Sequence, residues 1–422
     1  MTGAGGQHTD SPAGGPAASP WGVLAATTAV QALISMAALT PPVFAAVATR
    51  EVGLPASFVG YYTSLVYLGA MLTSLISGSL VGRFGAMRVS QVCLLLCGGG
   101  LAVLAATQAG PLLALAVAGA LVIGFGYGPV TPASSHILAR STPAHRRGLV
   151  FSLKQTGVPI GGMLAGAAVP PLVLWGDWRL AAMAVAAVAA VLALVVQPAR
   201  PGLDADRDPG RSLRAAGVLG PLRLVWRHRP LRLLSLASFT FAAIQLSLAS
   251  FLVTYLVQRV GLTLVDAGLV LAVAQGSGIA GRVVWGIVAD RWCGARVTLV
   301  GLAVVMAAAA LAAGWLFPLL PLAVIVAVAA VFGATAIGWN GVFLAEIAHL
   351  APSGRAGEAT GGALFFTYGG VVCGPSLFGV AVETLPGDYG AAFTAFAVAA
   401  LAGGVLTLRA GGGRRQTEDR QS

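Results

Sequence analysis

Residues 286–296 read Gly-Ile-Val-Ala-Asp-Arg-Trp-Cys-Gly-Ala-Arg, and residues 78–88 read Gly-Ser-Leu-Val-Gly-Arg-Phe-Gly-Ala-Met-Arg. The two stretches align at a shift of 208 residues, and each follows a long apolar run. A second pair of segments repeats at a shift of 209, with Pro143, Arg146 and Gly148 in the first and Pro352, Arg355 and Gly357 in the second. Two similar halves within one chain indicate an internal repeat.

The composition predicts an all-α, polytopic membrane protein. Hydrophobic residues make up 57% of the 422 residues and charged residues only 9%, whereas soluble domains carry roughly 25% charged residues. Apolar runs near or above the roughly 18 residues needed to cross a bilayer recur twelve times along the chain. The predicted spans cover residues 22–48, 58–81, 89–108, 112–139, 148–174, 180–197, 231–257, 265–289, 297–317, 320–349, 357–382 and 390–409.

One long polar segment, residues 198–230, separates six spans from the other six. We therefore predict an N-terminal six-helix bundle over residues 21–197 and a C-terminal six-helix bundle over residues 231–409. Residues 1–20 are rich in Gly, Ala, Ser and Pro and lack a basic region before the first span, so we expect a disordered tail rather than a cleaved signal. Residues 410–422 are expected to form a second tail.

Arginines are distributed unevenly between the two sides of the predicted membrane. When loops are assigned alternately, twenty arginines fall on one side, and three, Arg50, Arg179 and Arg259, fall on the other. The positive-inside rule places the arginine-rich side in the cytoplasm, together with both termini and residues 198–230, and predicts a cell-membrane location. The same charges are expected to contact anionic lipid head groups rather than nucleic acid.

The repeated loop motif resembles that of the major facilitator superfamily, and the resemblance extends from Trp21 to Arg409. Residues 286–296 match the superfamily pattern G-x-x-x-D-R-x-G-x-x-R with one extra residue, whereas the first copy has Gly82 in place of the aspartate. Residues 157–162 and 374–375 resemble the glycine–proline motif of its antiporters. The resemblance implies two six-helix bundles and a secondary transporter that works by alternating access, with no cofactor and no enzymatic activity.

The same motifs predict the moving parts. Glycine permits close helix approach, and proline removes a helix hydrogen bond. We expect Asp290 to dock on the positive end of the fifth span near Arg146 and Arg147, forming a latch that Gly82 cannot form in the other half. The alternative is that Asp290 pairs with Arg291 or Arg296 in its own loop. The predicted gating residues are Gly78, Arg83, Asp290, Arg291, Arg296, Gly157, Pro159, Gly374 and Pro375.

Two basic residues lie inside predicted spans, where a charge is costly and usually marks a pathway. Lys154, the only lysine, lies about 10 Å inside the fifth span, and Arg282 lies about 12 Å inside the eighth. The superfamily resemblance makes these helices neighbours at a central cavity. We therefore expect the pair to bind a small organic or inorganic anion, as the resemblance to cyanate permeases or organic-anion exchangers implies.

Each cation also has a structural alternative. Lys154 could snorkel its ammonium toward the cytoplasmic surface. Arg282 could be a fixed strut, bonded either to Glu346 or to carbonyls at helix ends. Uncharged polar residues on the same set of helices could complete a substrate site or could equally tie helices together. The predicted binding residues besides the two cations are Gln155, Gln31, Gln275 and Asn340, with Thr28 and Ser35 on the face of Gln31.

Proton coupling, if present, is assigned to Glu346 and His136. Glu346 is the only carboxylate well inside a span, and a partly buried glutamate and a histidine both titrate near neutral pH. The alternatives are that Glu346 is the partner of Arg282 and that His136, like His349, is a solvated residue at a helix end.

Other functions have weaker support in the sequence. A proton-driven drug exporter is the alternative transporter, suggested by the glycine–proline motifs and by Tyr61, Tyr62 and Tyr67. A membrane sensor is less favoured because no soluble domain is appended. An enzyme is also less favoured, because the sequence has no nucleotide-binding loop and no Ser/His/Asp set. We expect a monomer without metal, and we interpret Cys93, Cys97, Cys293 and Cys373 as packing residues.

Overall fold

The computed structural model describes residues 20–55, 57–106, 112–143, 146–213, 217 and 219–411. The two predicted tails lie almost entirely outside these ranges. Within the described residues the chain forms helices and no strand, which confirms the predicted all-α class. The helices of the first half are α1 (Pro20–Val52), α2 (Phe58–Ser74), α3 (Ser77–Phe84), α4 (Ala86–Ala105), α5 (Leu112–Tyr127), α6 (Val130–Ser141), α7 (Arg147–Gln155), α8 (Gly157–Trp175) and α9 (Trp178–Val195).

Two short helices, α10 (Arg200–Leu203) and α11 (Leu219–Arg227), lie between the halves. The second half repeats the pattern of long helices, of which two end in π-helical turns, Leu256–Val260 and Ala289–Cys293. Its helices are α12 (Arg229–Tyr255), α13 (Leu264–Val288), α14 (Gly294–Trp315), α15 (Leu322–Ala336), α16 (Asn340–Leu350), α17 (Ala356–Thr384) and α18 (Asp388–Arg409).

Several helices combine into single membrane crossings. α2 and α3 are bent by 60° at a short break, and α5 with α6, α7 with α8 and α15 with α16 are separated by one to three residues. Conversely, the helical stretch Leu264–Trp315 has 52 residues, which at 1.5 Å per residue is about 78 Å and far exceeds the roughly 30 Å of a bilayer core. It must therefore fold back once. Counted this way, the described helices make the twelve predicted crossings.

The fold-back points show the internal repeat in three dimensions. Gly85 and Gly294, 209 residues apart, both have positive φ, at 95° and 75°. This backbone conformation is open to glycine and disfavoured for other residues, so each glycine permits the sharp turn into the next helix. The helix interruptions at Gly128–Pro129 and Ile337–Trp339 are related by the same shift. The repeat in the sequence is thus a repeat in structure.

The two halves meet through helices that touch backbone to backbone. α8 contacts α13 where Gly166 and Gly268 face each other, and a Cβ on either would overlap the carbonyl oxygen of the other. α2 contacts α17 where Gly60 lies against the carbonyl of Pro375. Such contacts bring main chains closer than ordinary side chains permit. The motif glycine Gly374 instead packs within its own half, against Ala243 of α12.

The central segment, residues 197–213, is folded onto the first half. Asp204 is buried, with 4% exposure, and its carboxylate accepts hydrogen bonds from the amides of Met87 and Arg88 at 2.6 and 3.0 Å, in the first turn of α4. The amide of Asp208 donates to the carbonyl of Gly82 at 2.8 Å. Asp206 accepts from His136 at 2.6 Å and pairs with Arg140. The segment therefore covers the ends of α3, α4 and α6.

This docking accounts for two of the three glycines of the first loop motif, Gly82 and Gly85. A Cβ at Gly85 would overlap the carboxylate of Asp204, and a Cβ at Gly82 would overlap the guanidinium of Arg211. Burial raises the pKa of Asp204 above its ordinary value, although the amides of Met87 and Arg88 act in the opposite direction. A carboxylate from the central segment thus caps α4. In the loop of the second half, Asp290 stands at the position that corresponds to Gly82.

Asp204→Ala is expected to destabilise the protein by about 1 kcal/mol, because loss of a helix cap typically costs about 0.5–2 kcal/mol. Asp204→Asn should recover only part of this loss, because its single side-chain oxygen accepts from one amide, whereas Asp204 uses one oxygen for each of the two. Asp208→Ala is the control, because its exposed carboxylate bonds only the amide of Gly210. Thermal unfolding in detergent measures the order of stability, and equal melting temperatures for Asp204→Ala and Asp208→Ala would show that the cap is unimportant.

Candidate functional site

The two predicted membrane cations meet at one residue, Gln155, at the break between α7 and α8. The ammonium of Lys154 lies 3.4 Å from Oε1 of Gln155, and Nη1 of Arg282 donates to the backbone carbonyl of Gln155 at 2.8 Å. Lys154 is 1% exposed, so its ammonium does not emerge at the surface of the bundle. One cation comes from each half, Lys154 from α7 and Arg282 from α13.

Arg282 is bonded to two helix ends. Besides the carbonyl of Gln155, which ends α7, it reaches the carbonyl of Ile337, just past the end of α15, at 3.3 Å from Nε. The last carbonyls of a helix have no partner within the helix and carry partial negative charge. Of the two partners considered for Arg282 as a strut, the structure shows helix-end carbonyls, whereas Glu346 bonds Arg296.

Neither cation has a carboxylate partner in the described chain. All ion pairs among the described residues involve other groups. Arginine has five N–H donors and lysine has three, so the two bonds of Arg282 and the single long bond of Lys154 leave most donors free. Buried donors of this kind call for acceptors, and charged ones call for an anion.

Glu346 lies elsewhere in the second half. It is 7% exposed and accepts a hydrogen bond from Nε of Arg296 at 2.5 Å, which links α16 to the start of α14. Arg296 is therefore engaged by Glu346 and not by Asp290. Asp290 is exposed and forms no ion pair with a described side chain.

His136 lies in the middle of α6 and contacts the central segment. It is about two-fifths exposed and bonded to Asp206, whose pKa is lowered overall: burial raises it, but the bond from His136 and the charge of Arg140 outweigh that effect. Among the gating residues of the first loop, Arg83 lies over the ring of Phe84, 5.5 Å from its centroid.

Neutral polar side chains surround the break at Gln155. Gln31 is fully buried on α1, accepts a hydrogen bond from Thr131 at 3.0 Å and contacts Gly157. Gln275 on α13 is 4% exposed and packs against Gly162 of α8. Tyr127, beside Ser35 and within electrostatic reach of Arg282, stacks edge-on against Tyr67 with ring centroids 5.1 Å apart.

Sequence reasoning missed one polar cluster near Asn340. The amide of Asn340 and the indole of Trp339 both donate to Oε1 of Gln245, each at 3.0 Å. Trp339 is completely buried. The signal was present, because Gln245 is an isolated amide in the middle of the apolar helix α12, and a buried amide requires partners.

The contact between α2 and α17 differs at its two ends. We call the end with residues 75–88 and 289–297 the arginine-rich end and the opposite one the far end. At the far end, Ser57 bonds Glu383 and Ser64 bonds Ser376 at 2.7 Å, each pair joining α2 to α17. Towards the arginine-rich end the same two helices border a cleft of about 270 Å³, lined by residues that include Met71, Ser74, Gly361 and Tyr368.

Twelve crossings in two repeated halves, with a polar junction between them, define a membrane transporter rather than an enzyme. The chain belongs to the Major Facilitator Superfamily, whose sequence profile matches residues 24–375. It is similar to YwtG of Bacillus subtilis (strain 168), a protein named for metabolite transport, with 32% identity over 117 residues. That match spans 28% of this chain and 25% of YwtG.

Solved structures share the fold. A variant of the nucleoside transporter NupG superposes with a TM-score of 0.75 at 15% identity, over 92% of this chain and all of that one. A bacterial homologue of the human lysosomal transporter Spinster, in an inward-facing and occupied conformation, gives a TM-score of 0.69 at 16% identity, over 94% and 96% of the two chains. The peptide transporter POT in complex with sulfate gives 0.71 at 17% identity, over 92% and 94%.

Proposed function

We propose that this protein transports a small anion by alternating access and holds it between Lys154 and Arg282. One observation supports this above all: a buried ammonium without a carboxylate partner shares Gln155 with a guanidinium from the other half. An anion bound beside Gln155 would accept hydrogen bonds from the free donors of both cations.

Arg282 couples binding to motion in this mechanism. In this structure it bonds carbonyls of both halves, Gln155 in the first and Ile337 in the second. A bond from a guanidinium to an anionic oxygen has charge on both groups, whereas a bond to a carbonyl has charge on the donor alone. An anion therefore competes for Nη1, loosens the bond to Gln155 and replaces it with a link through Lys154. Gln31, Gln275 and Asn340 are candidate contacts for the rest of the solute.

The gates follow from the two ends of the junction. The arginine-rich end faces the cytoplasm by the positive-inside rule, so the structure represents a state closed at the far end by α2 and α17. In the opposite state, Asp290 docks on the start of α7 near Arg146. Glu346 and His136 are the candidates for proton coupling, because a proton on Glu346 would release Arg296, whereas a proton on His136 would strengthen its pair with Asp206.

Transport in proteoliposomes tests the proposal. Vesicles with purified protein should take up radiolabelled organic or inorganic anions faster than empty vesicles, and unlabelled anions should compete. Cationic dyes should not be moved, because a cationic site repels them. Export of cationic dyes without any anion uptake would instead support the drug-exporter alternative, and it would refute the assignment of Lys154 and Arg282 as an anion site.

A further inference from the structure

The charges around Gln155 do not cancel within the described chain. Lys154 and Arg282 together bring two positive charges, and the buried side chains around them, Gln31, Gln275 and Tyr127, are uncharged. Glu346, the carboxylate that the sequence places inside a span, is paired with Arg296. Substrate is thus the remaining source of negative charge for this site.

The N–H donors that remain free belong to two side chains, Arg282 and Lys154. Arg282 uses Nε for the carbonyl of Ile337 and one N–H of Nη1 for that of Gln155. Its remaining N–H groups, on Nη1 and Nη2, can donate to the oxygens of an oxyanion. Lys154 has free N–H donors besides the one that reaches Oε1 of Gln155. The ligand must therefore bring acceptors to both groups.

A singly charged anion can neutralise one of these cations and leaves the other uncompensated in a site of low polarity. An anion with two charges neutralises both and bridges α7 of the first half to α13 of the second. On this basis, and resting on the proposed anion transport, we infer that the substrate is doubly charged: a dicarboxylate or a divalent oxyanion, with one charge on Lys154 and one on Arg282.

The test compares anions of matched size and different charge. Malonate and propionate, succinate and butyrate, and sulfate and nitrate are titrated at neutral pH and constant ionic strength, and the rise in melting temperature gives each Kd. In wild type each dianion should bind at least about tenfold more tightly than its matched monoanion, as expected for one additional charged hydrogen bond.

Removal of one charge should remove the preference. In Lys154→Gln the Kd of the dianions should rise more than about tenfold and that of the monoanions less than about threefold. Arg227→Gln is the control, because Arg227 is an exposed arginine far from Gln155 in the chain, and it should leave both unchanged. Lys154→Met, which keeps the apolar stem, serves if the glutamine variant does not fold.

The outcomes separate this inference from the proposed function. If wild type binds monoanions as tightly as dianions, or if Lys154→Gln keeps the preference for dianions, the substrate is not defined by two charges, although anion transport stands. If no anion of either charge raises the melting temperature or is taken up, both proposals are wrong.

Discussion

Gly60→Val is expected to abolish transport. A Cβ at residue 60 would overlap the carbonyl oxygen of Pro375 and press on the ring of Phe251, both in the other half. Because the contacting atom of Pro375 is its backbone carbonyl oxygen, it cannot move aside as the end of a flexible side chain can. Overpacking typically costs about 1–3 kcal/mol, which corresponds to roughly a 5- to 150-fold shift away from the state closed at the far end. The cycle requires that state.

Accessibility of the gate measures the effect. In a background with Cys293 and Cys373 replaced by serine, Ser64→Cys should react with a membrane-impermeant maleimide from the far end faster when Gly60→Val is also present. Gly99→Val is the matched control, since a Cβ there meets no atom within 4 Å. Unchanged labelling together with normal uptake would show that the contact of α2 with α17 is not a gate.

Arg282→Gln is expected to have the second-largest effect. The substitution removes one cation and leaves the carbonyls of Gln155 and Ile337 without their donor. A hydrogen bond to a charged group contributes about 1.5–3 kcal/mol, so anion affinity should fall by roughly 10- to 150-fold. Arg282→Lys should recover part of this affinity, because it restores the charge but cannot present a planar fork.

Two readouts distinguish a role of Arg282 in anion binding from a purely structural role. Uptake and anion Kd report on the site, whereas the melting temperature without anion reports on the tie between α7 and α15. If Arg282 binds the anion, Arg282→Gln should weaken anion binding and Arg282→Lys should restore some of it. If both variants lower the melting temperature while anion Kd stays at the wild-type value, Arg282 only fastens helix ends.

The sequence was sufficient for the fold because its signals are local. Apolar runs mark crossings one by one, and the loop glycines Gly85 and Gly294 mark the turns between them. The partners of Arg282 could not be predicted in this way. They depend on where α7 and α15 end, and neither helix is followed by a proline at the break that would indicate its end in the sequence. The pairing of Glu346 with Arg296 likewise depends on how α14 and α16 cross, which composition and spacing do not encode.

The contribution of the central segment was also beyond the sequence signals. Gly82 stood out only as a departure from the superfamily pattern, and its reason lies in Arg211, more than a hundred residues away. Packing of this range is specified by shape and charge together, so a motif comparison shows the departure without its cause.

The docked central segment also shortens the tether between the halves. An unattached chain of residues 198–230 could extend to about 110 Å, whereas only eight peptide steps join Arg211 to Leu219, a reach of at most about 28 Å. Since α11 also contacts α17, where Pro221 lies against Gly362, this short connection limits how far the two halves can separate at the arginine-rich end. Spin labels on α3 and α11 should therefore report a bounded separation throughout the transport cycle.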